Sequence, residues 1–145
     1  MSRVQLALRV GDLDASITFY TKLFGTEPAK LRPGYANFVV EEPALKLVLS
    51  AGAPGQATVL DHLGVEVESG DRVAEAADRL AALGLCTDVR QDTTCCYAVQ
   101  DKVWVDDPDG APWEVYTVLA DSDEPQQGQL RTADVGGDGG CDCAV

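Results

Sequence analysis

The sequence predicts an α+β fold in which one βαβββ unit is used twice. Three observations carry this. A strand, a capped helix and further extended runs fill residues 4–49, and the same order returns over residues 61–118. Two pairs of segments can be overlaid: Gln5-Leu6-Ala7-Leu8-Arg9-Val10 on His62-Leu63-Gly64-Val65-Glu66-Val67, and Leu45-Lys46-Leu47-Val48-Leu49 on Trp113-Glu114-Val115-Tyr116-Thr117. The chain has 145 residues, 46% hydrophobic and 24% charged, which suits one domain whose core two small modules share.

Val4-Gln5-Leu6-Ala7-Leu8-Arg9-Val10 alternates large apolar residues with others, the period of a half-buried strand. Asp12 can cap a helix in which Leu13, Ile17, Tyr20 and Phe24 form a core-facing stripe, and Gly25 ends it. Extended runs follow at residues 27–31, 35–40 and 45–49, punctuated by Pro33-Gly34 and Glu42-Pro43. In the second unit residues 62–67 are the strand. Ser69 or Asp71 starts a helix with Val73, Ala77, Leu80 and Leu83 on one face, and Gly84 stops it. Strand-like runs then occupy residues 85–90, 95–99, 102–105 and 113–118, with a turn at Asp109-Gly110. The acidic run 106–110 lacks the spacing of a calcium loop and reads as a solvated turn. The expected domain is 1–120, with modules of about 1–52 and 60–120. Residues 121–145 carry six acidic residues against Arg131, with two Gly-Gly pairs, and read as a flexible acidic tail.

The chain has 24 acidic and 11 basic residues, a net charge of −13. Such a surface repels phosphate backbones and anionic lipid, which argues against nucleic-acid and membrane partners. No apolar run reaches the roughly 20 residues of a bilayer span, and the first residues lack the pattern of a signal peptide. The expected compartment is the cytoplasm. There the five cysteines, Cys86, Cys95, Cys96, Cys141 and Cys143, are expected as thiols. For Cys86 the expectation is a small buried apolar residue. The single histidine, His62, excludes any site needing two imidazoles from one chain.

Strand alternation sorts the side chains by face. Val4, Leu6, Leu8 and Val10 are expected to face the first helix, as Leu63, Val65 and Val67 face the second. Gln5, Ala7 and Arg9 point the other way, with His62, Gly64 and Glu66, and Glu114 can join them. If the strands close around a common space, Gln5, His62 and Glu114 converge in it.

With these positions, the stretches VQLALRV, GYANF, LDHLGVEVE, TTCCYAVQDKVWV and PWEVY are similar to the vicinal oxygen chelate superfamily, which includes glyoxalase I, extradiol dioxygenases and fosfomycin-modifying enzymes. Within it they resemble the branch of organoarsenical carbon–arsenic lyases and cadmium-induced proteins, over residues 1 to about 120. The resemblance implies a vicinal oxygen chelate fold around a central metal-binding groove, with Gln5, His62 and Glu114 as metal ligands. One imidazole, one carboxylate and one amide oxygen with open positions approximate the facial triad that suits non-haem Fe(II), O₂ and substrate. Gln5 departs from the histidine commoner at this superfamily position, which lowers the expected metal affinity. Lys46 is placed level with Glu114 in the other module. A protonated lysine cannot ligate a metal there, which argues against the four-ligand glyoxalase site.

The resemblance implies that Cys95 and Cys96 hold trivalent arsenic, a thiophilic centre. Neighbours in a regular strand point to opposite faces, so a chelate requires irregular backbone, expected at Asp92-Thr93-Thr94. Lys102 and Tyr116 are candidate supports behind the ligands, although an exposed, solvated Lys102 is the plainer expectation. Cys141 and Cys143 are candidate accessory thiols. The implied function is Fe(II)- and O₂-dependent cleavage of the carbon–arsenic bond of a small trivalent organoarsenical, such as methylarsenite, by a monomer or homodimer. The alternatives are non-catalytic sequestration of Cd(II) or As(III) by thiols, and thiol transfer to an antibiotic.

Overall fold

The computed structural model describes residues 2–123. Cys141 and Cys143, with nearly all of the expected tail, lie outside the described residues. The elements run β1 (Arg3–Val10), α1 (Leu13–Phe24), β2 (Lys30–Arg32), β3 (Tyr35–Val40), β4 (Leu45–Ala51), β5 (Val59–Glu66), α2 (Gly70–Ala82), β6 (Asp88–Cys95), β7 (Ala98–Asp106) and β8 (Pro112–Asp121). This is βαβββ twice.

Both helices begin where a polar cap satisfies their first amides. Asp12 accepts from Ala15 N at the start of α1, and Ser69 from Arg72 N at the start of α2. Gly25 then stops α1 in the left-handed conformation, φ 61°, which a residue with Cβ adopts only at a cost.

The eight strands form one mixed sheet, ordered β2-β3-β4-β1-β5-β8-β7-β6, curled into a half-barrel. Within each module the first and last strands pair in parallel, β1 with β4 and β5 with β8. The modules join where β1 and β5 pair antiparallel. That seam sets the faces. Leu6 is level with Leu63, and Val4 with Val65; Gln5 is level with Gly64, and Ala7 with His62.

The apolar set lies under the helices. Val10, Phe38, Leu47 and Leu49 are buried against Ile17, Tyr20 and Phe24 of α1. Val103 is buried beneath Val73, Ala77 and Leu80 of α2. Burying each large side chain contributes about 1.5–3 kcal/mol. The opposite face is the groove.

Two expectations are corrected here and one is met. Residues 98–106 form one continuous strand, so the runs 95–99 and 102–105 are not separate; the break falls instead at Cys96-Tyr97. The irregular backbone expected at Asp92-Thr93-Thr94 is present, as a bulge within β6 with Asp92 at φ 48° and a register shift between Arg90 and Thr93. Cys86 is exposed rather than buried, because the α2–β6 connection runs over the surface.

Candidate functional site

Gln5 on β1, His62 on β5 and Glu114 on β8 meet on the groove face. Gln5 Nε2 donates to Glu114 Oε1 at 2.8 Å and lies 3.0 Å from His62 Nε2. His62 Nε2 is 3.3 Å from Glu114 Oε1. Strand register explains the convergence. Gln5, Gly64 and Glu114 stand level across three neighbouring strands, and His62 is two residues from Gly64 on the same face. Gly64 is the floor between them. A Cβ there would lie 3.0 Å from both Cγ and the carbonyl oxygen of Glu114 and 3.3 Å from Gln5 Nε2.

The donor chemistry fits a divalent cation. Among the described residues no three His, Cys, Asp or Glu side chains gather as a metal site, so a site here depends on the amide. Gln5 turns its NH₂ toward His62 and Glu114, and its Oε1 accepts from the Tyr116 hydroxyl. A half-turn of the amide presents Oε1 instead, and the tyrosine hydroxyl can then accept from Nε2. Gln5 Nε2, His62 Nε2 and Glu114 Oε1 lie 2.8–3.3 Å from one another, and the turned amide would put its oxygen in the place of Nε2, with a single carboxylate in the set.

Lys102 is a further correction. It is 1% exposed, not solvated, and its ammonium donates to Glu114 Oε2 at 2.8 Å. It also lies over the rings of Trp104 and Tyr116. Burial disfavours charge on Glu114, but hydrogen bonds from His62 and Lys102 overcome it and hold the carboxyl at about 2. Burial likewise opposes charge on His62, yet its hydrogen bonds to Asp61 and Glu114 raise the imidazole to about 9. Burial pushes the Tyr116 phenol well above its usual range, so it stays a donor. Lys46 is lowered by burial; it lies over the Tyr116 ring, 4.0 Å from Glu66.

The two overlays of the modules prove to differ by two residues. If Gln5 is the counterpart of His62 in the overlay, the counterpart of Gly64 is Ala7. The parallel neighbour of Ala7 is Val48, as that of Gly64 is Glu114. The fourth corner is therefore Val48, and Lys46 lies directly beside Gln5. Neither offers a carboxylate.

Cys95 ends β6, and Cys96-Tyr97 form the turn into β7. Both turn residues have positive φ, 53° and 60°, the geometry of a tight hairpin that usually selects Asn-Gly. This left-handed pair overrides strand alternation and brings Cys95 Sγ and Cys96 Sγ to 3.2 Å. First-module residues pin it. Lys30 Nζ donates to Tyr97 O at 3.0 Å, the Tyr97 hydroxyl to Pro33 O at 3.3 Å, and the Tyr35 and Tyr97 rings pack at 5.2 Å. Tyr97, Tyr35, Ala7 and Val48 form a buried cluster against Cys96. The hydrogen bond with Cys95, then burial and the charge of Glu114, push the Cys96 thiol well up, while Lys102 draws it down.

Sequence reasoning missed Arg9, Asp61 and Trp104. Asp61 Oδ2 is 2.7 Å from His62 Nδ1, Arg9 Nη2 donates to Asp61 Oδ1 at 2.6 Å, and Trp104 meets the His62 ring edge-on at 5.3 Å. Adjacency of Asp61 to the only histidine was the one available signal.

Comparison with known proteins gives the family. A trivalent organoarsenical cleaving enzyme of Thermomonospora curvata is 68% identical over 123 residues, 85% of this chain and 82% of that one. Cadmium-induced protein CadI of Mycobacterium tuberculosis is 59% identical over 123 residues, 85% of this chain and 80% of that one. A Mn(II)-bound glyoxalase from Novosphingobium aromaticivorans, 20% identical, shares the fold with a TM-score of 0.59, covering 89% of this chain and 44% of that one. The model of the Glyoxalase/Bleomycin resistance protein/Dioxygenase superfamily matches residues 3–115, and the chain belongs to that superfamily.

Proposed function

We propose that this protein cleaves the carbon–arsenic bond of small trivalent organoarsenicals in an Fe(II)- and O₂-dependent reaction, releasing arsenite and an oxidised one-carbon product from methylarsenite. The observation that carries this reading is the pairing of two half-sites in one groove. A dithiol with sulfurs 3.2 Å apart packs against Ala7 and Val48, on the sheet face that carries Gln5, His62 and Glu114, and the charges of Glu114 and Lys102 both act on Cys96. The names of the 68% and 59% identical relatives support it.

The thiols bind. Cys96 is held protonated, which suits condensation with an As–OH group: each S–H and As–OH pair gives an As–S bond and one water, with no change of charge. Cd(II) would instead require two thiolates and the loss of two protons. Tyr35, Tyr97 and Val48 shield Cys96 from water and give the organic substituent apolar neighbours. On the other side Gln5, His62 and Glu114 would hold the iron. Bound there, Fe(II) supplies O₂ activation. Lys102 occupies Glu114 Oε2 and leaves Oε1 directed at His62 and Gln5. The Tyr116 hydroxyl orients the Gln5 amide.

Turnover tests the reading. Protein reconstituted anaerobically with Fe(II) is given methylarsenite, exposed to air, and assayed for arsenite by chromatography with arsenic detection. Arsenite formed by the parent and lost in both Cys96→Ser and Glu114→Ala supports the lyase. Tight arsenic binding without arsenite release moves the function to sequestration.

A further inference from the structure

The pairing of β1 with β5 is regular except at one place. Ala7 is level with His62, but its neighbour Leu8 is level with Leu60, so Asp61 is an extra residue, a β-bulge. In a regular strand Asp61 and His62 would point to opposite faces. The extra residue interrupts that alternation, and the two adjacent side chains meet, Asp61 Oδ2 against His62 Nδ1 at 2.7 Å. The other carboxylate oxygen is tied across the seam to Arg9 at 2.6 Å, on the strand that carries Gln5. Trp104 closes the edge of the imidazole.

An imidazole offers one lone pair to a metal, and the hydrogen bond at its other nitrogen decides which. A carboxylate at Nδ1 holds the proton there and leaves Nε2 as the ligand atom. Nε2 is the atom that lies 3.0 Å from Gln5 and 3.3 Å from Glu114. We propose that the bulge exists to place Asp61 behind His62, and that Asp61, anchored by Arg9, is a positioning residue that fixes the imidazole with Nε2 aimed into the donor set. This rests on the metal-site reading above. The plainer role is an ion pair that only fastens β1 to β5. In that case His62 would be indifferent to Asp61.

The single histidine makes the test direct, because ¹⁵N-histidine labelling of the full chain reports one imidazole. At a pH where the ¹⁵N shifts show the imidazole neutral, the metal-free wild type should show the Nδ1–H tautomer. Asp61→Ala should shift most of the population to Nε2–H, and Asp61→Asn, which keeps an acceptor, should retain Nδ1–H. Fe(II) affinity, measured anaerobically against a chelator, should fall about 10–100-fold in Asp61→Ala and less in Asp61→Asn. Unchanged tautomer and unchanged affinity in a folded Asp61→Ala protein overturn the proposal. If Asp61→Ala does not fold, Asp61→Asn decides it: Nδ1–H retained with a smaller affinity loss supports, and no change in affinity overturns. A wild-type His62 signal untouched by added metal refutes the metal site itself, and with it the purpose given to Asp61. That failure is recognisable because the tautomer is read without metal.

Discussion

Lys102 on β7 and Glu114 on β8 meet diagonally across the strand pair, Lys102 being level with Tyr116 and Glu114 with Trp104, with Nζ 2.8 Å from Oε2 at 1% and 3% exposure. The pair is a cation already installed beside the position where a second cation would bind. Removing one member of a buried pair strands the other, at a cost of about 3–5 kcal/mol. Lys102→Met should therefore destabilise the metal-free protein by about 3 kcal/mol, and a divalent ion should restore much of it by replacing the lost charge. Urea unfolding of both proteins with and without Mn(II) measures this. Equal Mn(II) stabilisation of wild type and variant would contradict it.

Gly64→Ala should separate folding from metal binding. Its Cβ would stand 3.0 Å from Glu114 Cγ and carbonyl and 3.3 Å from Gln5 Nε2, so the neighbours must give way. The fold should lose about 1–3 kcal/mol, in the range of other overpacked sites. Divalent-ion affinity should fall at least about tenfold, because the donors diverge. Metal titration followed by calorimetry, beside the thermal midpoint, is the measurement. Affinity equal to wild type would show that Gly64 is not the floor of a metal site.

The metal-free protein should become less stable as pH rises. Despite burial, Asp61 and Glu114 hold the His62 imidazole at about 9, above the unfolded value of about 6.5. The folded state thus binds this proton more tightly. The stabilisation is complete below about pH 6.5 and is lost as pH climbs through about 9, roughly 3 kcal/mol in all. Thermal midpoints across that window should decline for wild type and stay flat for His62→Gln. A flat wild-type profile would contradict the arrangement of charges around the imidazole.

The repeat, the helix caps and the identity of the inner and outer faces were legible in the sequence, because each rests on a local period or a local hydrogen bond. Asp12, Gly25 and Ser69 act where their residue types suggest. What escaped was set by strand pairing. A slip of two residues leaves every side chain on its own face, so alternation could not tell Lys46 from Val48 as the counterpart of Glu114. A bulge inverts one residue without marking the sequence, which hid Asp61. Lys102 reads as an ordinary charged residue on a strand, and only its distance of 2.8 Å from a buried carboxylate explains its burial. The turn at Cys96-Tyr97 was unexpected because neither residue favours positive φ. Contacts from distant chain support it: Lys30, Pro33 and Tyr35 all belong to the other module.

That support makes the dithiol a product of assembly. A chain whose second half has formed without the first carries Cys95 and Cys96 in sequence but lacks the anchors on Tyr97, the carbonyl of Pro33 and the ammonium of Lys30. The paired sulfurs are then released to ordinary strand geometry, pointing apart. A nascent or half-folded protein presents two separate thiols rather than a chelate. The proposed capture site thus arrives together with the proposed donor set, since both need the β1–β5 seam to close.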